Sequence, residues 1–282
     1  MKNCPACGAK VSEGNLFCHR CGKYLRVCPR CNFEVPRDAL SEVKYCPECG
    51  HPLFDFTSVP EIIREVKWSV WDVFKILILS IFLAIPFVFL LSFVFTSFAD
   101  VTGAGVPLLV ALSSFHLLLL IFTVYYVRKR GGSLREMGIT AANPKFIGVG
   151  ILLGFALPVL DTVISFLTEP IIGSSPMQEE IIKMAEAPGM FPEFLFFASV
   201  IAPIIEEIYF RGFSFQAFKN KWGSNWGIFA CSIFFAFLHF DPWVFLHILA
   251  MGLVLAYAYE KTGSLPLVMT AHLLNNALAF LI

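Results

Sequence analysis

The chain has 282 residues, of which 57% are hydrophobic, and 21 basic side chains balance 21 acidic ones for a formal charge of zero. A mean hydropathy of +0.73 is too high for a water-soluble domain, so the class is a membrane protein with several spans. The neutral balance gives no net field for nucleic acid, and no clear nucleic-acid signal is present.

Polarity is uneven along the chain. Residues 1–70 are polar and rich in cysteine. Eight of the nine cysteines fall in four C-x-x-C pairs: Cys4/Cys7, Cys18/Cys21, Cys28/Cys31 and Cys46/Cys49. Three pairs are followed by glycine (Gly8, Gly22 and Gly50), which lets the backbone turn around the thiolates. Two sulfurs so spaced grip one side of a tetrahedral Zn²⁺. Pairing successive knuckles gives two Cys4 sites, hence two structural zinc ions. A disulfide framework is disfavoured because no secretory signal opens the chain. The module resembles the tandem zinc ribbons often fused to prokaryotic membrane proteins. It is too small for a large core, so metal is expected to supply most of its folding energy. Structural docking, protein-partner binding and nucleic-acid binding by it all stay open. The expected division is ribbons over 1–52, a linker and amphipathic lead-in over 53–72 with Trp68 and Trp71 at the membrane interface, and a membrane domain over 73–282.

Seven spans are expected, near 74–98, 106–127, 146–168, 193–217, 224–240, 242–259 and 264–282, with a surface helix over Glu179–Ala187. Arg128, Lys129, Arg130, Arg135 and Lys145 crowd the second loop, and Lys219, Lys221 and Lys261 fall on the same side. Asp100, Asp241 and the acidic third loop fall on the other. The positive-inside rule then places the N-terminus in the cytoplasm and the C-terminus outside. The fold class is therefore an all-α polytopic membrane bundle carrying a small β zinc-ribbon module, expected in a prokaryotic cell membrane.

Two adjacent acids, Glu206 and Glu207, stand inside the fourth span with Arg211. Ionisable groups at such depth are functional candidates by default. Glu207 and Arg211 are i and i+4 and pair on one face, which leaves Glu206, about 100° round the helix, free to act. Phe235 and His239, and His272 and Asn276, repeat the i, i+4 spacing. Each pair taken alone also suits interhelical hydrogen bonding. His116, Asp161 and His247 are read as interhelical partners or cavity lining, and Cys231 as core.

The three motifs, Glu206-Glu207-x-x-x-Arg211, Phe235-x-x-x-His239 and His272-x-x-x-Asn276, resemble in order and spacing the CAAX prenyl protease 2 family. That group includes abortive-infection and bacteriocin-processing membrane proteins and the Ras-converting endopeptidase. The resemblance covers about 74–282, not the ribbons. It implies an intramembrane glutamate-type endopeptidase acting on a membrane-associated peptide or protein. Glu206 and His239 would activate water, Glu207 and Arg211 would complete the motif, and His272 with Asn276 would stabilise the oxyanion, with no metal needed for catalysis. Two other classes compete: a non-catalytic scaffold of the same fold, and a metal-dependent hydrolase with a divalent ion held by Glu206, His239, His272 and Asn276. His239 sits awkwardly near the outer end of its expected span, while Glu206 lies mid-span.

Overall fold

The structure, a computed structural model, describes residues 2–3, 10–11, 30–31, 33, 45–50, 66–98, 105–185 and 191–280. Cys4, Cys7, Cys18, Cys21 and Cys28, and the linking stretch 51–65, lie outside these residues.

In the ribbon module, β1 (Lys2–Asn3) pairs antiparallel with β2 (Lys10–Val11), Lys2 opposite Val11. At the fourth knuckle, the Gly50 amide donates to the Cys46 carbonyl at 2.8 Å. Gly50 has φ +64°, a left-handed turn that a side chain would strain.

The membrane domain is helical. α1 (Val70–Phe98), α2 (Gly105–Lys129) and α3 (Pro144–Ile172) are each long and apolar enough to cross a bilayer. α4 (Pro176–Ala185) is the short polar helix expected in the third loop. The fourth span is one winding run: α5 (Phe191–Phe196), a π segment (Phe197–Ile201), α6 (Ala202–Glu207), a second π segment (Ile208–Phe215) and α7 (Gln216–Trp222). α8 (Ser224–Phe237), α9 (Phe245–Thr262) and α10 (Leu265–Ala279) complete it, and α8 and α10 are shorter apolar helices. The fifth span therefore ends at Phe237, and its expected continuation to 240 is a turn in which Phe240 has φ +53°.

α1 begins at a capping arrangement: Ser69 donates from its amide and its hydroxyl to Asp72 Oδ2, at 2.9 and 3.0 Å. Asp72 also receives Tyr126 and Arg130 from the far end of α2, which locks the two antiparallel helices at one end. Trp71 is 71% exposed, as an interface residue would be. Trp68, expected beside it at the lipid interface, instead turns inward. Its ring stacks on Phe213 with centroids 5.2 Å apart, and Nε1 donates to the Phe213 carbonyl. An indole next to a buried ring and an open carbonyl gains both packing and its one hydrogen bond there.

The core gathers around the fourth span. Tyr209, Phe210, Phe213 and Phe215 pack against Phe235 of α8, Leu255 and Tyr259 of α9, and Leu265 and Val268 of α10. α3 covers α10 closely. A methyl at Gly150 would stand 2.5 Å from the Leu267 carbonyl, and one at Gly154 2.8 Å from Leu274 Cβ. Small residues four apart allow such backbone approach in a lipid setting, where van der Waals contact drives helix association.

Candidate active site

Pro203 explains the shape of the first π segment. The proline has no N–H, and its ring crowds the preceding turn. The Ala202 amide reaches back five residues to the Phe197 carbonyl, so the next carbonyl in that register, Ala198, faces a proline nitrogen with nothing to donate. Asn276 of α10 supplies the missing donor, with Nδ2 3.0 Å from the Ala198 oxygen. Local π widening is common where a helix carries function.

Glu206 and Glu207 follow on α6 and part company as the helical angle requires. Glu207 is fully buried, and its Oε1 accepts from Arg211 Nη1 at 2.8 Å. The i, i+4 pairing expected from sequence holds, although Arg211 lies in the second π segment. The same oxygen accepts from His272 Nδ1 at 2.8 Å. The Arg211 guanidinium rests 4.5 Å from the Phe235 ring centre, a cation–π contact of the kind strengthened by desolvation.

Glu206 turns the other way and stays partly open, with a side-chain exposure of 17% against 0% for Glu207. His116 of α2 places Nε2 3.2 Å from its Oε1. His272 places Nε2 3.8 Å from its Oε2, beyond a hydrogen bond but within ion-pair range. His239 lies in the turn after α8. Its Nδ1 is 2.9 Å from the Phe235 carbonyl, its ring packs edge-on to Phe235, and it is within electrostatic reach of Glu206. The short α8 thus accounts for the awkward position of His239 in the sequence: the helix ends early and the histidine belongs to the turn.

The structure brings Glu206, Glu207, Arg211, His239 and His272 into one cluster around Phe235. His272 and Asn276, expected side by side, are instead held separately, the first by Glu207 and the second by Ala198. Asn275 donates to Met251 Sδ and to Asn276 Oδ1, at 3.5 and 3.3 Å. Asp161 and His247 pair with each other at 2.6 Å, linking α3 to α9 away from the cluster. Cys231 is buried and donates to the Phe210 carbonyl, in keeping with a core residue. His116 is the residue whose part in the cluster the motifs did not carry. A lone histidine in an apolar span was its one sequence signal.

In the ribbon, the thiol sulfurs of Cys31, Cys46 and Cys49 lie within 4.8 Å of one another, and those of Cys31 and Cys46 are 3.4 Å apart. Tetrahedral zinc with Zn–S near 2.3 Å sets its sulfurs about 3.8 Å apart, so these residues fit zinc. The third knuckle meets the fourth, as sequential pairing requires.

Fold and site together define a polytopic membrane protein with an acid–imidazole centre inside its bundle. A family model described as type II CAAX prenyl endopeptidase Rce1-like matches residues 188–278, a range holding all six expected site residues from Glu206 to Asn276, and a double zinc ribbon model matches residues 4–50. A curated relative, the membrane-embedded CAAX protease MroQ of Staphylococcus aureus (strain USA300), is 30% identical over 212 residues, 71% of this chain and 83% of the relative. No solved structure matches. The chain belongs to the CAAX protease family of integral membrane proteins, with a double zinc ribbon at its N-terminus.

Proposed function

We propose that the chain is a glutamate-type intramembrane endopeptidase that hydrolyses a peptide bond in a membrane-associated protein or peptide. The observation that carries this reading is the division of labour between the two acids. Glu207 is neutralised by Arg211 and sealed from solvent, whereas Glu206 is partly open and faces imidazoles. A general base must reach the water it deprotonates, and of the two only Glu206 does.

In this reading Glu206, with His239, takes a proton from water as the oxygen attacks the scissile carbonyl. His272 and Asn276 stabilise the oxyanion. His272 does so in its doubly protonated form: Glu207 Oε1 is an acceptor, so the Nδ1 hydrogen is committed there and Nε2 donates only if it also carries one. Asn276 keeps a second amide hydrogen after donating to Ala198. We further propose that the eight cysteines hold two structural zinc ions and that the ribbons (1–52) are a unit separate from the catalytic domain (73–282), joined to it by the linker and lead-in (53–72). The membrane is taken to be a prokaryotic one, with the N-terminus cytoplasmic.

The test is Glu206→Gln, which keeps shape and removes the proton acceptor. Cleavage of internally quenched peptides presented in lipid nanodiscs should fall to background while the variant's melting temperature stays that of the wild type. His272→Ala and Asn276→Ala should each slow cleavage by roughly 10²–10³-fold, the scale of a lost oxyanion donor. Full activity in Glu206→Gln would refute the mechanism.

A further inference from the structure

His116 is not one of the motif residues, yet it makes the shortest contact to Glu206. Its Nδ1 lies 2.7 Å from the Leu112 carbonyl, one turn back on α2, and its Nε2 lies 3.2 Å from Glu206 Oε1. A carbonyl oxygen only accepts, so Nδ1 carries a hydrogen. A carboxylate oxygen also only accepts. The Nε2–Oε1 contact is therefore a hydrogen bond only if a proton lies between the two atoms, on one or the other. The ring has little freedom to turn away. It is 7% exposed, wedged edge-on between Phe115 and Phe197, each 5.3 Å from it.

We propose that His116 is a positioning residue of the Glu206 centre: it occupies Oε1 through a shared proton and so leaves Oε2, the oxygen that faces His272, as the one that works on water. This deepens the endopeptidase reading and rests on it. The other ionisable groups facing the centre are Glu207, Arg211, His239 and His272. Glu207 and Arg211 are engaged with each other, and His239 and His272 each spend Nδ1 elsewhere, on the Phe235 carbonyl and on Glu207. Among the described side chains, His116 is thus the one that fixes Glu206 by a hydrogen bond.

The test has two arms, both on the full chain in lipid nanodiscs. In the first, histidines are labelled with ¹⁵N, and the His116 ring is assigned by its loss in His116→Gln. The wild type should show a hydrogen-bonded proton at Nε2 that disappears in Glu206→Gln. An Nε2 resonance indifferent to Glu206→Gln would overturn the proposal. In the second, cleavage of quenched peptides is followed in His116→Gln, His116→Asn and His116→Ala. Asn and Ala should lower kcat by roughly 10–100-fold, the scale expected of a misplaced catalytic group, with KM little changed. Gln, whose longer amide still reaches Oε1 as a donor, should recover most of the loss. Unchanged kcat in His116→Ala, or equal rescue by Gln and Asn, would show a packing residue and refute the role. Should the wild type cleave no peptide, the endopeptidase reading falls, while the resonance arm still decides whether the pair shares a proton.

Discussion

Arg211 holds both imidazoles of the motif set in place through its own partners. Through Glu207 it fixes His272, and through the Phe235 ring it holds the side chain against which His239 packs. It is fully buried, so removing it strands the Glu207 charge. Breaking one side of such a pair costs about 3–5 kcal/mol. Arg211→Ala should therefore lower the unfolding free energy in detergent–denaturant titrations by that amount and abolish cleavage. Arg211→Lys should not rescue it, because a point ammonium cannot both reach Glu207 and lie flat on Phe235. The double variant Glu207→Gln/Arg211→Met, which leaves no charge behind, should be more stable than Arg211→Ala and still inactive, since a neutral amide can accept from His272 Nδ1 but no longer supports the doubly protonated imidazole. Equal stability of wild type and Arg211→Ala would show that the pair is not as isolated from water as its burial implies.

At the level of elements, the site is assembled by short or irregular helices held between regular ones. α3 is the long wall against α10, and α10 carries both His272 and Asn276. The contact runs through Gly150 and Gly154. Gly154→Leu should push α10 away, destabilise the fold by at least about 1–3 kcal/mol and silence cleavage together with it. Gly148→Leu, where an added Cβ meets nothing within 4 Å, should change neither. If Gly154→Leu melts and cleaves like wild type, α10 is not positioned by α3. The three long apolar spans and the Glu207–Arg211 pair were legible in the sequence, because each follows from helical period and composition; the close approach at Gly150 and Gly154 was not. The π segments were not legible. The first arises where a proline meets a carbonyl that a distant asparagine satisfies, and period alone cannot show which donor will arrive. Nor was the early end of α8, since Leu238-His239-Phe240 continues an apolar run without a glycine or proline to mark the stop. Trp68 misled for a related reason: a tryptophan before an apolar span suits the interface, and only the partner across the bundle turns it inward.

For the molecule as a whole, the question is whether the ribbons and the membrane domain work as one unit. The described contacts join residues 66–68 to the membrane domain. Lys67 Nζ donates to the Gly131 carbonyl, Asn220 donates to the Val66 carbonyl, and Trp68 is buried against Phe213. These residues seat the start of the chain's membrane part on the loop after α2 and on the fourth span. Every residue proposed for the site, His116 included, lies in the membrane domain, so the ribbons need not be present for the proposed chemistry. A chain beginning at Glu61 should insert, keep the wild-type melting temperature in nanodiscs and retain cleavage. Its zinc content by metal analysis should drop from two ions per chain to none, and chelators should leave its activity unchanged. Trp68→Ala in the full chain should do the opposite, keeping both zinc ions while losing about 3–5 kcal/mol of stability. The loss should reach activity too, because Phe213 belongs to the same π segment as Arg211. A truncated chain that inserts and melts normally but cleaves nothing would assign the ribbons a direct part in delivering substrate. One inactivated by chelators would instead move the mechanism toward a metal bound among Glu206, His239 and His272.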